Sequence, residues 1–111
     1  MAEPIEEVGA LDRTIHEPAR LAILTVLSAC ASADFLFLQR ATGLTKGNLS
    51  SHLTKLEDAE LVEIEKRFVE RRPNTLVRLT KRGRAGIDEH WNRLEGLRRS
   101  AGALGEEQAA G

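Results

Sequence analysis

Two groups of side chains in this sequence have the types and spacing for chemistry, and that chemistry is contact with a polyanion. The first is Lys46, Gly47, Asn48, Ser50 and Ser51, with Thr54 and Lys55 a turn further on. Asparagine can bond adenine bidentately, serine can meet a base edge or a phosphate, and lysine can meet guanine or phosphate. The small residues allow a backbone to approach closely. A helix starting here would also aim its free N–H groups and its dipole at an anion. An ordinary surface helix carries similar residues, so context must decide. The second group is Lys66, Arg67, Arg71, Arg72, Arg78, Lys81, Arg82 and Arg84, with Glu70 the one acid among them. Arginine forks suit phosphates and narrow minor grooves of strong negative potential. Long basic side chains also shield a strand edge from pairing, and both roles can hold at once.

Metal and covalent chemistry find less support. His16, Cys30, His52 and His90 lie far apart in sequence, without C-x₂-C or H-x₃-H spacing, so neither metal nor cofactor is expected. His52 falls at the edge of a leucine stripe and reads as a packed histidine bonded to a neighbour. Cys30 could be an oxidisable switch, but at the apolar end of a helix it reads as a small buried hydrophobe. There is no Gly-rich phosphate loop, nucleophile elbow or paired-carboxylate site, and the chain is not read as an enzyme.

The 111 residues suffice for one domain with one core. With 41% hydrophobic and 30% charged residues, a soluble globular protein is expected. No apolar run approaches the roughly 18 residues of a membrane span. The start, MAEPIEEVG, has no secretory pattern. With one cysteine, a cytoplasmic location is the simplest expectation. The net charge of -1 hides a strong asymmetry. Residues 40–84 hold 11 basic and 6 acidic side chains, whereas the segments on either side are both net acidic. Positive charge therefore collects where the candidate contacts lie, and a local field can steer a polyanion.

The elements that must position these residues follow from periodicity. Ile5, Val8, Leu11 and Ile15 suggest a short N-terminal helix. A core helix is expected over about 17–30, then a break at 31–34 with room for a very short strand. A second helix follows over about 35–42, with Phe35, Leu36 and Leu38 available for burial and Gly43 as its stop. Thr45 is a good cap for a third helix over about 46–59, where Leu49, Leu53 and Leu56 share a stripe. Helix, glycine turn, capped helix is the helix-turn-helix pattern. Two short strands follow: Val62, Ile64 and Phe68 supply apolar positions of the first, and Leu76–Leu79 the second. Pro73-Asn74 is expected at the turn, with Arg71 and Arg72 near the tip. Thr80 caps a last helix of about 81–100, with Ile87, Trp91, Leu94 and Leu97 as its apolar stripe. Residues 101–111 are expected to be a flexible tail.

The segments HLTKLEDAELVEIEKRF and RRPNTLVRLTKRGRAGI resemble winged helix-turn-helix transcriptional regulators of the MarR/ArsR type, in the small single-domain group. The likeness covers about residues 18–92. It implies a fold mainly α with a small β-hairpin (α+β): a three-helix core plus a wing, an N-terminal helix and a long C-terminal helix. Residues 1–100 would form one DNA-binding domain with flanking dimerisation helices. The implied activity is that of a dimeric repressor or activator of transcription, and repression is the expectation adopted. Helix 46–59 would enter the major groove, and a wing at about 69–76 would reach the backbone or minor groove. The resemblance carries recognition contacts to Lys46, Gly47, Asn48, Ser50 and Ser51, and wing contacts to Arg71 and Arg72. Thr54, Lys55 and Arg67 complete the candidate surface. Glu60 stands where the family has a helix-ending glycine. The cysteine-rich metal sites of many ArsR-type proteins are absent.

Two-fold related helices one DNA turn apart read two half-sites, so a homodimer is expected. Its candidate interface is Ile5, Val8, Leu11, Ile87, Trp91, Leu94 and Leu97, although the last four equally suit packing on the chain's own core. A small-molecule effector could enter between the dimer helices and the DNA-reading layer. The alternative function is a winged-helix protein-interaction module without specific DNA readout.

Overall fold

A computed structural model describes residues 13–110. Residues 13–16 are helical, and Glu17 then caps α1 (Pro18–Ser28) by accepting from the Arg20 backbone N–H at 2.9 Å. Pro18 takes a first-turn position, where its missing N–H costs nothing. Ile23, Leu24 and Leu27 of α1 are buried. Asp34 ends the two-residue strand β1 (Ala33–Asp34) and caps α2 (Phe35–Thr42). Gly43 stops α2 at φ 72°, and Thr45 opens α3 (Lys46–Asp58) by accepting from the Asn48 N–H at 3.2 Å. These three helices match the expected segments to within two residues at their ends.

The hairpin differs from expectation. Strands β2 (Val62–Val69) and β3 (Arg72–Leu79) pair antiparallel from Val62↔Leu79 to Val69↔Arg72, so the turn is Glu70-Arg71, not Pro73-Asn74. Pro73 sits opposite Phe68 inside the ladder. In a two-residue hairpin the closing pair exchanges hydrogen bonds and the next pair does not, so the absent N–H of Pro73 faces away from β2. β1 pairs with β3 only at Ala33↔Val77 and Asp34↔Leu76, which leaves that edge open at Pro73. The sheet order is β1-β3-β2, and the wing is a longer ribbon than residues 69–76.

The last helix, α4 (Lys81–Ala110), also runs past its expected end near residue 100. Alanine, leucine, glutamate and glutamine favour helix strongly enough to carry it through Gly102 and Gly105. The molecule measures 67 × 37 × 23 Å, elongated by this helix. The core joins Ile15, the α1 residues, Leu38, the α3 stripe, Leu61, Val62, Val77 and Ile87. Leu36 and Phe68 were expected to contribute, but both are exposed. Leu38 takes the buried position of α2, and Phe68 lies on the ribbon beyond the last buried pair. Cys30 is half-buried rather than enclosed. No helix among the described residues is long and apolar enough to cross a membrane.

Candidate nucleic-acid interface

α3 presents its two faces as its sequence demands. Leu49, Leu53 and Leu56 are buried, which turns Lys46, Gly47, Asn48, Ser50, Ser51, Thr54 and Lys55 to solvent. Thr54 donates its hydroxyl to the Ser50 carbonyl at 3.1 Å. The side chains of Lys46, Asn48, Ser50, Ser51 and Lys55 have no partner among the described residues and keep their full bonding capacity. Nothing lies within 4 Å of where a Cβ at Gly47 would sit. The fold therefore does not need glycine there, although glycine costs a helix about 1 kcal/mol. Room for a close-lying ligand would account for it.

Both ends of α3 are anchored. At its C-terminus Leu61 N–H donates to Leu56 O and Glu60 N–H to Glu57 O, both at 2.9 Å, the paired bonds of a Schellman ending. Glu60 holds the left-handed position that such an ending requires, with φ 61°. Thr80 continues this anchor by donating its hydroxyl to the Glu60 carbonyl at 2.6 Å, its N–H bonding Leu61 O at 3.1 Å. The same hydroxyl accepts from the Gly83 N–H and so caps α4. A Cβ on Gly83 would land on the Leu61 carbonyl, so glycine is required where α4 crosses this corner.

On the inner side of α3, His52 Nδ1 lies 3.6 Å from Glu17 Oε2. Burial of Glu17 works against its ionisation. The N–H bonds from Arg20 and Ala19, with His52 and the Arg20 charge nearby, outweigh that and hold its carboxyl below the usual value. His52 is thus packed, as its position on the stripe edge suggested, but its buried Nδ1 makes no hydrogen bond among the described residues, so the expected bond to a neighbour is not formed.

At the wing tip, Glu70 (φ 51°) and Arg71 (φ 66°) both adopt left-handed conformations, the type I′ pattern that normally selects Asn-Gly. Arg67 Nε donates to Asn74 Oδ1 across the ribbon at 3.0 Å, which sets the direction of the Arg67 side chain. Arg78 pairs with Glu63 at 3.2 Å. Lys66, Arg71 and Arg72 have no ion-pair partner among the described residues. Phe68, which strand alternation places inward, is instead 76% exposed beside this cationic tip.

On α4, Ile87 is fully buried in its own core and offers no surface to a second chain. Trp91 donates to Thr25 Oγ1 at 3.3 Å, fastening α4 to α1, yet stays 43% exposed. Leu94 and Leu97 are exposed, whereas Ile5, Val8 and Leu11 lie outside the described residues. Beside Leu94 and Leu97 runs a groove of about 550 Å³ between α4 and residues 13–17. His90, at its inner end, packs 5.4 Å from the His16 ring. No cluster of three metal-ligating side chains occurs among the described residues.

A family model described as a winged helix DNA-binding domain matches residues 19–97. The chain belongs to that family. An uncharacterized protein of Methanocaldococcus jannaschii is 34% identical over 78 residues, 70% of this chain and 85% of that protein. A transcriptional regulator homologue from Pyrococcus horikoshii superposes with TM-score 0.76 at 30% identity, covering 86% of this winged-helix chain and 97% of its own. A MarR-family regulator from Enterococcus faecalis, described as a putative one, gives TM-score 0.70 at 22% identity over 100% of this chain and 96% of that one. Bordetella bronchiseptica BpsR, whose DNA binding is regulated by 6-hydroxynicotinic acid, gives TM-score 0.63 at 23% identity over 74% and 61%. The last two likenesses speak for the fold.

Proposed function

We propose that this winged-helix protein is a sequence-specific transcriptional regulator that binds double-stranded DNA as a cytoplasmic homodimer and represses transcription. α3 enters the major groove, where Lys46, Asn48, Ser50, Ser51, Thr54 and Lys55 meet bases and phosphates and Gly47 lets the backbone close in. The ribbon tip, with Arg67, Arg71 and Arg72, lies along the backbone or in the minor groove. The observation that carries this reading is that both groups are solvent-facing and that nearly all their polar ends are unspent, in a family of DNA-binding domains. The reading assigns no catalytic residue.

Two half-sites related by a dyad follow from the homodimer, which uses the exposed Trp91, Leu94 and Leu97 together with Ile5, Val8 and Leu11. A small-molecule effector, of the kind BpsR has in 6-hydroxynicotinic acid, would act by changing the distance between the two recognition helices and hence the affinity. Selection of bound duplexes from a random pool tests the whole reading. The expected result is an enriched inverted repeat whose binding weakens steeply with salt. No enrichment and no salt-sensitive binding, with a stable protein partner instead, would replace it with an interaction module.

A further inference from the structure

The apolar face of the wing runs on past the core that it covers. Side chains alternate along a strand, so Val62, Ile64, Lys66 and Phe68 share one face of β2. Opposite them on β3 stand Leu79, Val77, Thr75 and Pro73. Val62 and Val77 belong to the core together with Leu53 and Leu56 of α3. Burial then falls away through Ile64 and Thr75, and the face ends on Phe68 and Pro73, both exposed. A ring so open to solvent adds little to the fold, and it leaves an apolar spot on a solvated ribbon.

Two features of the tip say what covers that ring. The first is charge. Lys66, Arg67, Arg71 and Arg72 all lie within four residues of Phe68, with Glu70 the one acid among them. Such a surround attracts a polyanion. A protein pocket for the ring would need an acidic rim, whereas a nucleic-acid groove carries negative charge on both sides. The second feature is rigidity. Phe68↔Pro73 is the pair next to the closing pair of the hairpin, where cross-strand side chains stand closest. The ring is thus backed by a residue whose own φ is fixed, which suits a wedge more than an adaptable contact.

We propose that Phe68 is an apolar wedge, which enters the minor groove beside the major groove occupied by α3 and inserts between two adjacent base pairs. This rests on the DNA-binding reading above and deepens it. Phe68 stands six residues along β2 from Val62 at the core, a reach of about 20 Å at about 3.3 Å per residue. Neighbouring grooves on one side of a duplex lie about half a turn apart, about 17 Å, so the ribbon is long enough. Phosphates of the two strands flank the inserted ring, and the surrounding cations meet them.

The phenyl ring has no hydrogen-bonding group and so distinguishes no base edge. What it senses is the cost of parting a base step. Pyrimidine–purine steps such as TA and CA part most cheaply, and the partial unstacking kinks the duplex by tens of degrees. Each protomer therefore adds a preference for a deformable step beside its half-site.

The test uses full-length protein and the duplex enriched by the selection described above. The duplex carries donor and acceptor dyes at its ends, and 2-aminopurine replaces each adenine beside the half-sites in turn. The variants are Phe68→Ala, Phe68→Leu and Val69→Ala, Val69 being the exposed apolar residue on the opposite face of the ribbon. Wild type should draw the duplex ends together and brighten 2-aminopurine at one step per half-site. Replacing that step by one that is not pyrimidine–purine should weaken binding about tenfold. Phe68→Ala should abolish the brightening, the bend and the step preference, with Tm and the salt slope as in wild type. Phe68→Leu should keep part of the bend, and Val69→Ala all of it. A bend and brightening that survive Phe68→Ala, or a wild-type complex with neither, would overturn the wedge and leave DNA binding in place. Failure of the wild type to enrich or bind any duplex would sink the DNA-binding reading itself, and the wedge with it.

Discussion

Glu17 touches both the start of one helix and the flank of another: its Oε2 caps α1 through the Arg20 N–H at 2.9 Å and lies 3.6 Å from His52 Nδ1 on α3. One carboxylate therefore ties the entry of the core helix to α3. The pair is distant in sequence, so only the tertiary fold brings it together.

This link sets a pH dependence. The carboxyl of Glu17 is held below its ordinary value of 4.5. A depressed carboxyl stabilises the fold above its unfolded pKa and loses that contribution as pH falls through the folded value. Glu17→Gln should therefore lower Tm at pH values above the ordinary Glu17 value, and the difference from wild type should shrink as pH falls below about 4.5. A difference that persists unchanged to pH 3 would show that the charge does not matter.

Glu60 pays a conformational cost for ending α3. A non-glycine residue in the left-handed region costs about 1–2 kcal/mol, offset in part because glycine loosens the unfolded chain by about 0.4–1 kcal/mol. Glu60→Gly should raise stability by up to about 1 kcal/mol, equivalent to a Tm rise of a few degrees for a domain of this size. Thermal melts of the two proteins in one buffer decide it, and a fall in Tm would mean that the Glu60 side chain contributes more than the backbone strain costs.

Gly83 makes the opposite prediction at the same corner. Its Cβ would overlap the Leu61 carbonyl, whose oxygen accepts from Thr80 N–H, so α4 cannot stay in place around a side chain. Gly83→Ala should cost about 3 kcal/mol or more, beyond the usual range for overpacking because backbone must move. Urea denaturation at equal m-value measures this. A loss under about 1 kcal/mol would show that the corner is pliable.

How far the sequence was legible varied with the range of the forces involved. Helix starts and stops at Thr45, Gly43 and Thr80 were readable because caps are local chemistry. The left-handed strain at Glu60 was foreseeable from one residue out of pattern. The hairpin turn was misplaced because Pro73-Asn74 has turn propensity, whereas ladder register put the turn at Glu70-Arg71 and left proline at a position needing no donor. Leu36 and Phe68 show the limit of periodicity: it identifies apolar residues but not which of them the fold can reach. The exposed face of α3 was legible because the leucine stripe left no other choice. The Glu17–His52 contact was not, since no local pattern encodes a contact between separate helices.

The two halves of the candidate interface should fail differently. Asn48→Ala removes a possible base contact and should relax preference at one position per half-site, with about 1–3 kcal/mol lost on the preferred duplex. Arg72→Ala removes the proposed phosphate contact and should weaken all duplexes alike, lowering the slope of log K against log salt by about 0.9 per protomer. Titrations of preferred and scrambled duplexes at several salt concentrations separate them. Identical behaviour of the two variants would mean that the division between reading and gripping is wrong.

If the wing tip contacts DNA as proposed, it sets stability against binding. Glu70 and Arg71 occupy a turn that favours Asn-Gly, and the strain sits where an unpaired guanidinium is presented to solvent. Strain at such a site persists when the side chain is worth more to function than to folding. Replacing the pair with Glu70→Asn and Arg71→Gly should relieve two left-handed side chains and raise Tm by a few degrees. It also removes one cation, so the salt slope of DNA binding should fall by about 0.9 per protomer while affinity drops at low salt. Glu70→Asn alone should keep both the affinity and the slope, since Arg71 remains. If the double variant is more stable and binds DNA with an unaltered slope, Arg71 makes no phosphate contact, and the turn's strain needs another cause.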